Sequence, residues 1–362
     1  MTSMPQDHLD RYCIIGIDTH KDVHVAVALD QLGRRLEELH IPTSAVGYTQ
    51  LENWATALGS VKAFAIEGTG SYGAGLTRFL SDRGHRVVEI NRPDRATRHR
   101  LGKSDPIDAE MAARSVLCGV ASGTPKDSRG NVEMIRMLKM AKDSGVKART
   151  QSINQIKAIL ITAPAELRES LAGLPVGALL DRCAAFRPGK LTSTTAVAKH
   201  TLRLLARRNF GLRVEIAELG EQIRILADVA APQLIKVFGI GPDNAARFLM
   251  TAGDNPDRLR SEAAFAALCG SNPIPASSGK TNRHRLNRGG DRQANAALHR
   301  VVVIRLRWHE PTRAYMSRRL AEGKTKAEVI RCLKRYVARE IYNVLCPRNT
   351  DSNTQTTLVQ AA

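Results

Sequence analysis

The sequence predicts an α/β domain followed by a longer, mainly helical and basic remainder, and three observations point to it. Short apolar and alternating runs crowd the first 120 residues. Beyond residue 130, apolar residues recur at helical spacing and strand alternation disappears. Charge is divided unequally: residues 1–110 hold 13 Lys and Arg against 15 Asp and Glu, whereas residues 271–350 hold 18 against 5, a net of +13 within a chain total of +19.

Tyr12 to Asp18 is an apolar run ending on a carboxylate, and Val23, Val25, Val27 and Leu29 alternate as a half-buried strand does. Asp30-Gln31-Leu32-Gly33 predicts a turn into a third strand, Arg34 to Ile41. Thr43 or Ser44 caps a helix running to about Leu58. Val61 to Ile66 is a fourth strand, and a helix over Leu76 to Asp82 is closed by Gly84. Val87 to Ile90 is a fifth strand, and another helix is expected to begin near Ser104, its N-cap. Three strands in meander, then helix, strand, helix, strand, helix, is the order of the ribonuclease H-like fold.

Residues 130–235 read as helices broken at Pro164, Pro175 and Arg187-Pro188-Gly189, hence a hairpin or bundle rather than one rod. Leu212, Ile216, Leu219, Ile223 and Leu226 form an apolar seam. The seam fits either pairing of two protomers or packing on the helices that carry Ile135, Leu138, Ile153, Ile156 and Leu160. The resulting division is a tail at 1–10, an α/β domain at 11–125, a helical, coiled-coil arm at 126–232, a mainly helical basic block at 233–346, and a tail at 347–362.

Several classes are excluded. No run of 18 apolar residues exists to span a bilayer, so no membrane partner is expected, and the polar N-terminus lacks an apolar signal core, which predicts a cytoplasmic protein. The six cysteines are scattered without a CxxC pair, so neither a disulfide framework nor a zinc finger is expected. A polyanion partner is the simplest reason for the basic excess, because Lys and Arg release counterions condensed on phosphates, and a charge excess that serves solubility is the alternative.

Asp18 and Glu67 each end an apolar strand, where a charge needs a purpose. If the strands are neighbours, both carboxylates leave the same end of the sheet. Asp105 and Asp108 stand three apart at a helix start, sharing a face where the helix terminus tolerates negative charge. Four converging carboxylates repel one another, and hard divalent cations, Mg²⁺ or Mn²⁺, relieve that repulsion. Two such ions serve phosphoryl transfer.

The motifs Gly16-Ile17-Asp18-Thr19-His20-Lys21, Ile66-Glu67-Gly68-Thr69-Gly70-Ser71-Tyr72 and Lys103-Ser104-Asp105-Pro106-Ile107-Asp108-Ala109 resemble, in order and spacing, the DEDD transposases of the insertion sequence 110 family over about residues 11–116. The resemblance implies a domain like the RuvC resolvase, with Asp18, Glu67, Asp105 and Asp108 as Mg²⁺ ligands. It further implies a bacterial transposase acting on the DNA ends and target of a mobile element, and bound to the nucleoid through that DNA. An element-encoded guide RNA and a homodimer or tetramer are also implied.

Cys269 to Lys280 is a turn-rich loop leading to Arg283, Arg285, Arg288, Gly289, Gly290, Asp291 and Arg292. Lys280 and these arginines are candidate phosphate ligands. Chemistry alone leaves Ser-Gly in such a loop as a turn. Residues 233–346 resemble the C-terminal domain of the same family, whose serine before glycine is the nucleophile. That role maps to Ser278, with Ser277 as the second choice. Gly239-Ile240-Gly241 resembles a helix-hairpin-helix turn whose N–H groups hold a DNA phosphate, and equally fits a plain interhelical turn. Tyr315, Tyr336 and Tyr342 read as packing residues. Two rivals stand beside the transposase reading: a metal-dependent resolvase-type nuclease in which water attacks, and a non-catalytic nucleic-acid binder.

Overall fold

The computed structural model describes residues 12–90, 104–281 and 283–347. The expected tails, apart from Pro347, therefore lie outside the described residues, as does the segment just before Ser104. By contacts the chain forms two units. One runs to Ser128 and also takes in Ala252–Arg260; the other comprises Arg129–Thr251 and the residues from Ser261 onward.

The first unit is built on a five-stranded sheet. β1 (Tyr12–Thr19), β2 (Val23–Asp30) and β3 (Arg35–Pro42) form an antiparallel meander, while β4 (Ser60–Glu67) and β5 (Val87–Ile90) run parallel to β1. The strand order β3-β2-β1-β4-β5 is consistent with a ribonuclease H-like domain. The β2–β3 turn forms as its residues require. Asp30 accepts from the Leu32 and Arg34 N–H groups, and Gly33 takes φ +79.

α1 (Ala45–Ala57) and α2 (Ala74–Asp82) cover one face of the sheet. Ser44, of the two expected candidates, caps α1 by accepting from the Gly47 N–H. The core on this face joins Ile15, Ile17, Phe64 and Ile66 to Leu51, Leu76 and Leu80. α3 (Asp105–Leu117) covers the other face. There Ala109, Ala112 and Ala113 meet Ile14, Val27, Leu29, Ala63, Ala65 and Val88, and the small side chains bring helix and sheet close. Ser104 occupies the N-cap position of α3, but its side chain makes no capping hydrogen bond. Its backbone carbonyl accepts from the Asp108 N–H at 3.0 Å instead, the ordinary first helical bond. The side-chain cap expected from the sequence is thus absent.

Ala252–Arg260 completes this unit beside the segment that follows α3. The Asn255 amide accepts from the Asp127 N–H at 2.9 Å and donates to the Pro125 carbonyl at 3.0 Å. Arg260 donates to the Ser122 carbonyl and hydroxyl, each at 2.8 Å.

The second unit begins with α4 (Asn131–Thr162). It continues through α5 (Ala165–Leu171) and α6 (Val176–Ala184) and returns along α7 (Thr194–Ala230). Pro164 and Pro175 immediately precede α5 and α6, so the chain breaks where proline forbids continuation. α4 and α7 form an antiparallel pair: Gly145 lies against Ile216, and Ser152 accepts from Asn209. The Leu212–Leu226 seam therefore faces α4 of its own chain, with Ile223 fully buried and Leu212, Ile216, Leu219 and Leu226 half-buried. The distal end of the pair is closed by α5 and α6 around Ile156, Leu167, Leu179, Leu180, Cys183 and Leu202.

The same unit contains α8 (Pro232–Ile235), α9 (Pro242–Ala252), α10 (Glu262–Leu268), α11 (Arg292–Trp308), α12 (Glu310–Ala321) and α13 (Lys326–Leu345), with a small hairpin of β6 (Pro273–Pro275) and β7 (His284–Leu286). Ion pairs tie the base of the arm to α9. Lys139 reaches Asp143 at 2.5 Å and Asp243 at 3.1 Å, Lys142 reaches Asp243 at 3.0 Å, and Arg247 pairs with Asp143. Tyr315 and Tyr336 stack edge to face at 5.6 Å and Tyr342 is buried, whereas Tyr336 keeps an exposed side. All six cysteines are free. No helix among the described residues is long and apolar enough to cross a membrane.

Candidate catalytic site and nucleic-acid interface

Strand parity places the strand-end acids. Ile17 pairs with Ile66, and both face the α1/α2 core. The next residues along each strand, Asp18 and Glu67, therefore leave the opposite face, the one covered by α3. Asp105 and Asp108 open α3 on that same face. The close approach depends on Gly16. A Cβ there would lie 2.7 Å from the Ala113 nitrogen and 2.9 Å from the Ala109 carbonyl carbon. Because β1 has no side chain at this point, α3 can lie against it with Asp108 beside Asp18.

His20, the first residue beyond β1, links the acids. Its Nε2 lies 3.2 Å from Asp18 Oδ2 and 3.3 Å from Asp105 Oδ1. The ligand atoms of Asp18, His20 and Asp105 all fall within 4.8 Å of one another. Asp108 and Glu67 stand outside that tight group. Asp108 is buried, and its charge is felt at Asp18. The Glu67 carbonyl accepts from the Thr19 hydroxyl at 2.8 Å, which fixes the end of β4 beside β1.

Burial pushes the Asp18 carboxyl above the usual carboxylate range. His20 pulls it down, and the Asp108 and Asp105 charges push it up again. Carboxylates that repel each other in a half-buried site are what a divalent cation relieves, and their hard oxygens suit Mg²⁺ or Mn²⁺. The residues present fit such an ion. An open cleft lined by His20, Lys21, His40, Tyr72 and Asp105 gives access to the site.

His20 is the residue that reading the sequence for acids passed over. The available signal was its position two residues beyond Asp18, just past the end of β1.

In the second unit the serine loop is a tight β-hairpin. Ser278 and Thr281 exchange both backbone hydrogen bonds, at 3.1 and 3.0 Å. Gly279 has φ +54, and none of the described non-glycine residues has a positive φ, so Ser278-Gly279-Lys280-Thr281 is a type II′ turn with glycine where that turn requires it. The two serines differ. The Ser277 hydroxyl accepts from the Arg283 N–H at 3.1 Å, whereas the exposed Ser278 hydroxyl has no hydrogen bond among the described residues. The hairpin base is fixed. Asn295 donates to the Cys269 and Gly270 carbonyls at 2.8 and 2.9 Å, and the Asp291 side chain caps α11.

Lys280, Arg283, Arg285, Arg288 and Arg292 are all exposed and form no ion pair among the described residues. At the other candidate turn, Gly239 has φ +83, and Arg305 donates to the Phe238 carbonyl at 2.9 Å. The N–H groups of Gly239 and Gly241 donate to no acceptor among the described residues.

An acid cluster on a ribonuclease H-like sheet, joined to a basic helical unit, describes an enzyme acting on nucleic acid. Two family models match the chain. A DEDD transposase model of IS110 type covers residues 15–163, and the Transposase IS116/IS110/IS902 family model covers residues 231–317. The chain belongs to the insertion sequence 110 family of DNA transposases. Divalent-metal use and action on DNA follow from that membership. No curated protein gives a significant match.

Proposed function

We propose that this transposase cuts and rejoins the DNA strands of a mobile element through a two-Mg²⁺ acid site and a serine nucleophile. Asp18, Glu67, Asp105 and Asp108 would hold the ions, either Mg²⁺ or Mn²⁺, with His20 against two of the four acids. When bound, the ions supply positive charge that favours an ionised hydroxyl and offsets charge building on the scissile phosphate.

Ser278 Oγ attacks the phosphorus. The Oγ–P bond forms, the bond from phosphorus to the leaving deoxyribose oxygen breaks, and the proton lost from Ser278 is balanced by one gained at the leaving oxygen. The phosphoserine link retains the phosphodiester's energy, so a DNA hydroxyl can reverse the step and rejoin strands without another energy source. Lys280, Arg283, Arg285, Arg288 and Arg292 would neutralise neighbouring phosphates, and the Gly239 and Gly241 N–H groups would take another. Family membership supports an element-encoded guide RNA and a dimeric or tetrameric assembly as further partners.

The observation that carries this reading is the contrast between the serines: Ser277 is occupied by Arg283, and Ser278 is free at the turn tip. A second reading, a resolvase-type nuclease in which water attacks, is favoured by the type II′ turn, which explains Gly279 without any chemistry. Alanine at Asp18, Glu67, Asp105 or Asp108 should abolish strand cleavage and largely spare DNA affinity. Cleavage by two or more of these variants at ordinary Mg²⁺ would remove the acid site from the mechanism.

A further inference from the structure

The α4–α7 arm has two electrically different halves. At its base, residues 129–144 and 214–230 together hold five Lys and Arg against six Asp and Glu. Ion pairs use most of them, including Arg136 with Glu133, Lys139 with Asp143, and Arg224 with both Glu221 and Asp228. The distal part, residues 145–213, holds twelve Lys and Arg against three Asp and Glu. None of those twelve cations forms an ion pair among the described residues. Twelve cations against three acids, a net of +9, raise the self-repulsion of this part of the arm, and a surface needed only for solubility would not gather them there.

Their placement is ordered. Ala198, Leu202 and Ala206 pack in the helix interface, and each is followed by a cation: Lys199, Arg203 and Arg207. On α4 the interface residue Ile156 is followed by Lys157. In an antiparallel pair, positions one step beyond the interface lie on the same side of both helices. Lys157, Lys199, Arg203 and Arg207 therefore share one side of the arm. From Lys199 to Arg207 the row rises about 12 Å along α7. That length matches about three to four phosphates of one strand of B-DNA lying alongside. The side carries no exposed aromatic ring for stacking unpaired bases: Phe186 and Phe210 are half-buried, with Lys199 and Arg213 over their respective rings. A backbone-reading surface suits a duplex rather than a single strand.

We propose that the distal arm is a second DNA-binding surface. It would grip the phosphate backbone of duplex DNA through Lys157, Lys199, Arg203 and Arg207, separately from the serine hairpin. The ligand is the sugar–phosphate backbone, so this contact adds affinity without adding sequence preference.

The test uses the full chain carrying Lys157→Gln, Lys199→Gln and Arg207→Gln together, which leaves the partly buried Arg203 in place. Its dissociation constant for duplex DNA should rise about tenfold or more at moderate salt, and the slope of log affinity against log salt should shrink by about 2–3. An Arg136→Gln chain, altered at the ion-paired base, should bind as the parent does. A companion measurement needs no variant: in the parent protein, Lys157 and Lys199 should become protected from an amine-reactive reagent when duplex DNA is added. Unchanged affinity and slope in a folded triple variant would overturn the proposal. So would unprotected lysines, or a loss confined to structured RNA while duplex DNA binding stays intact.

Discussion

Gly16 and Ala109 meet with no room for a side chain between them. A Cβ on Gly16 would fall far inside van der Waals contact with the Ala109 carbonyl, and 2.7 Å from the Ala113 nitrogen. The contact lies two residues before Asp18 and one after Asp108, so it sets how closely β1 and α3 bring their carboxylates.

Replacing Gly16 with Ala should therefore push α3 off the sheet. The expected cost is about 1–3 kcal/mol of stability in denaturant unfolding, with a parallel loss of Mn²⁺ binding. Gly211→Ala makes the opposite control. Gly211 lies mid-helix in α7 with nothing near its Cβ position, so alanine there should stabilise by about 0.5–1 kcal/mol. Equal and neutral effects at both glycines would show that the β1–α3 approach is not constrained as described.

His20 should tune the acid site and not DNA binding. Calorimetric titration of His20→Ala with Mn²⁺ should show affinity weakened about 10–100-fold, the range for groups that orient metal ligands. DNA affinity in the absence of metal should stay at the parent value. An unchanged Mn²⁺ titration would leave the contacts to Asp18 and Asp105 without consequence for the ion.

On the proposed mechanism, Ser278 and the acids should act in one composite centre, with the halves supplied by different protomers. Neither Ser278→Ala nor Asp18→Ala should cleave alone, and mixing the two chains should restore part of the activity. An inactive mixture in which mixed dimers demonstrably form and bind DNA would assign serine and acids to the same chain. The Leu212–Leu226 seam offers no argument for pairing here, because it faces α4 of its own chain.

Much of the first unit was legible because strand alternation and turn chemistry act locally. Asp30 to Gly33 turns and Ser44 caps for reasons contained within a few residues. Val23 to Leu29 forms the expected strand, but it is not half-buried as its alternation implied: His24 to Leu29 are all buried, because the sheet is covered on both faces, by α1 and α2 on one side and α3 on the other. The positions of Asp18 and Glu67 were legible for a similar reason, since a carboxylate at the end of an apolar strand is out of place, and Asp105 and Asp108 open a helix as expected. What escaped depends on distant partners. His20 gains meaning only when α3 brings Asp105 within 3.3 Å. The Asn255 and Arg260 contacts with Ser122–Asp127 join residues more than 120 positions apart, which no local pattern encodes. Ser104 sits where a cap belongs, but side-chain geometry decides whether the bond forms, and here it does not. The seam left two partners open because periodicity gives a helix an apolar face without saying what covers it.

The covalent step tests the central claim most directly. Incubating the chain with its element-end DNA and Mg²⁺, quenching under denaturing conditions, and mapping the DNA-linked peptide by mass spectrometry identifies the attacking residue. The expected adduct is a phosphodiester at Ser278. It should persist in Ser277→Ala and be lost in Ser278→Ala and in each acid variant. Cleaved DNA with no protein attached, or attached at any other residue, would contradict the account.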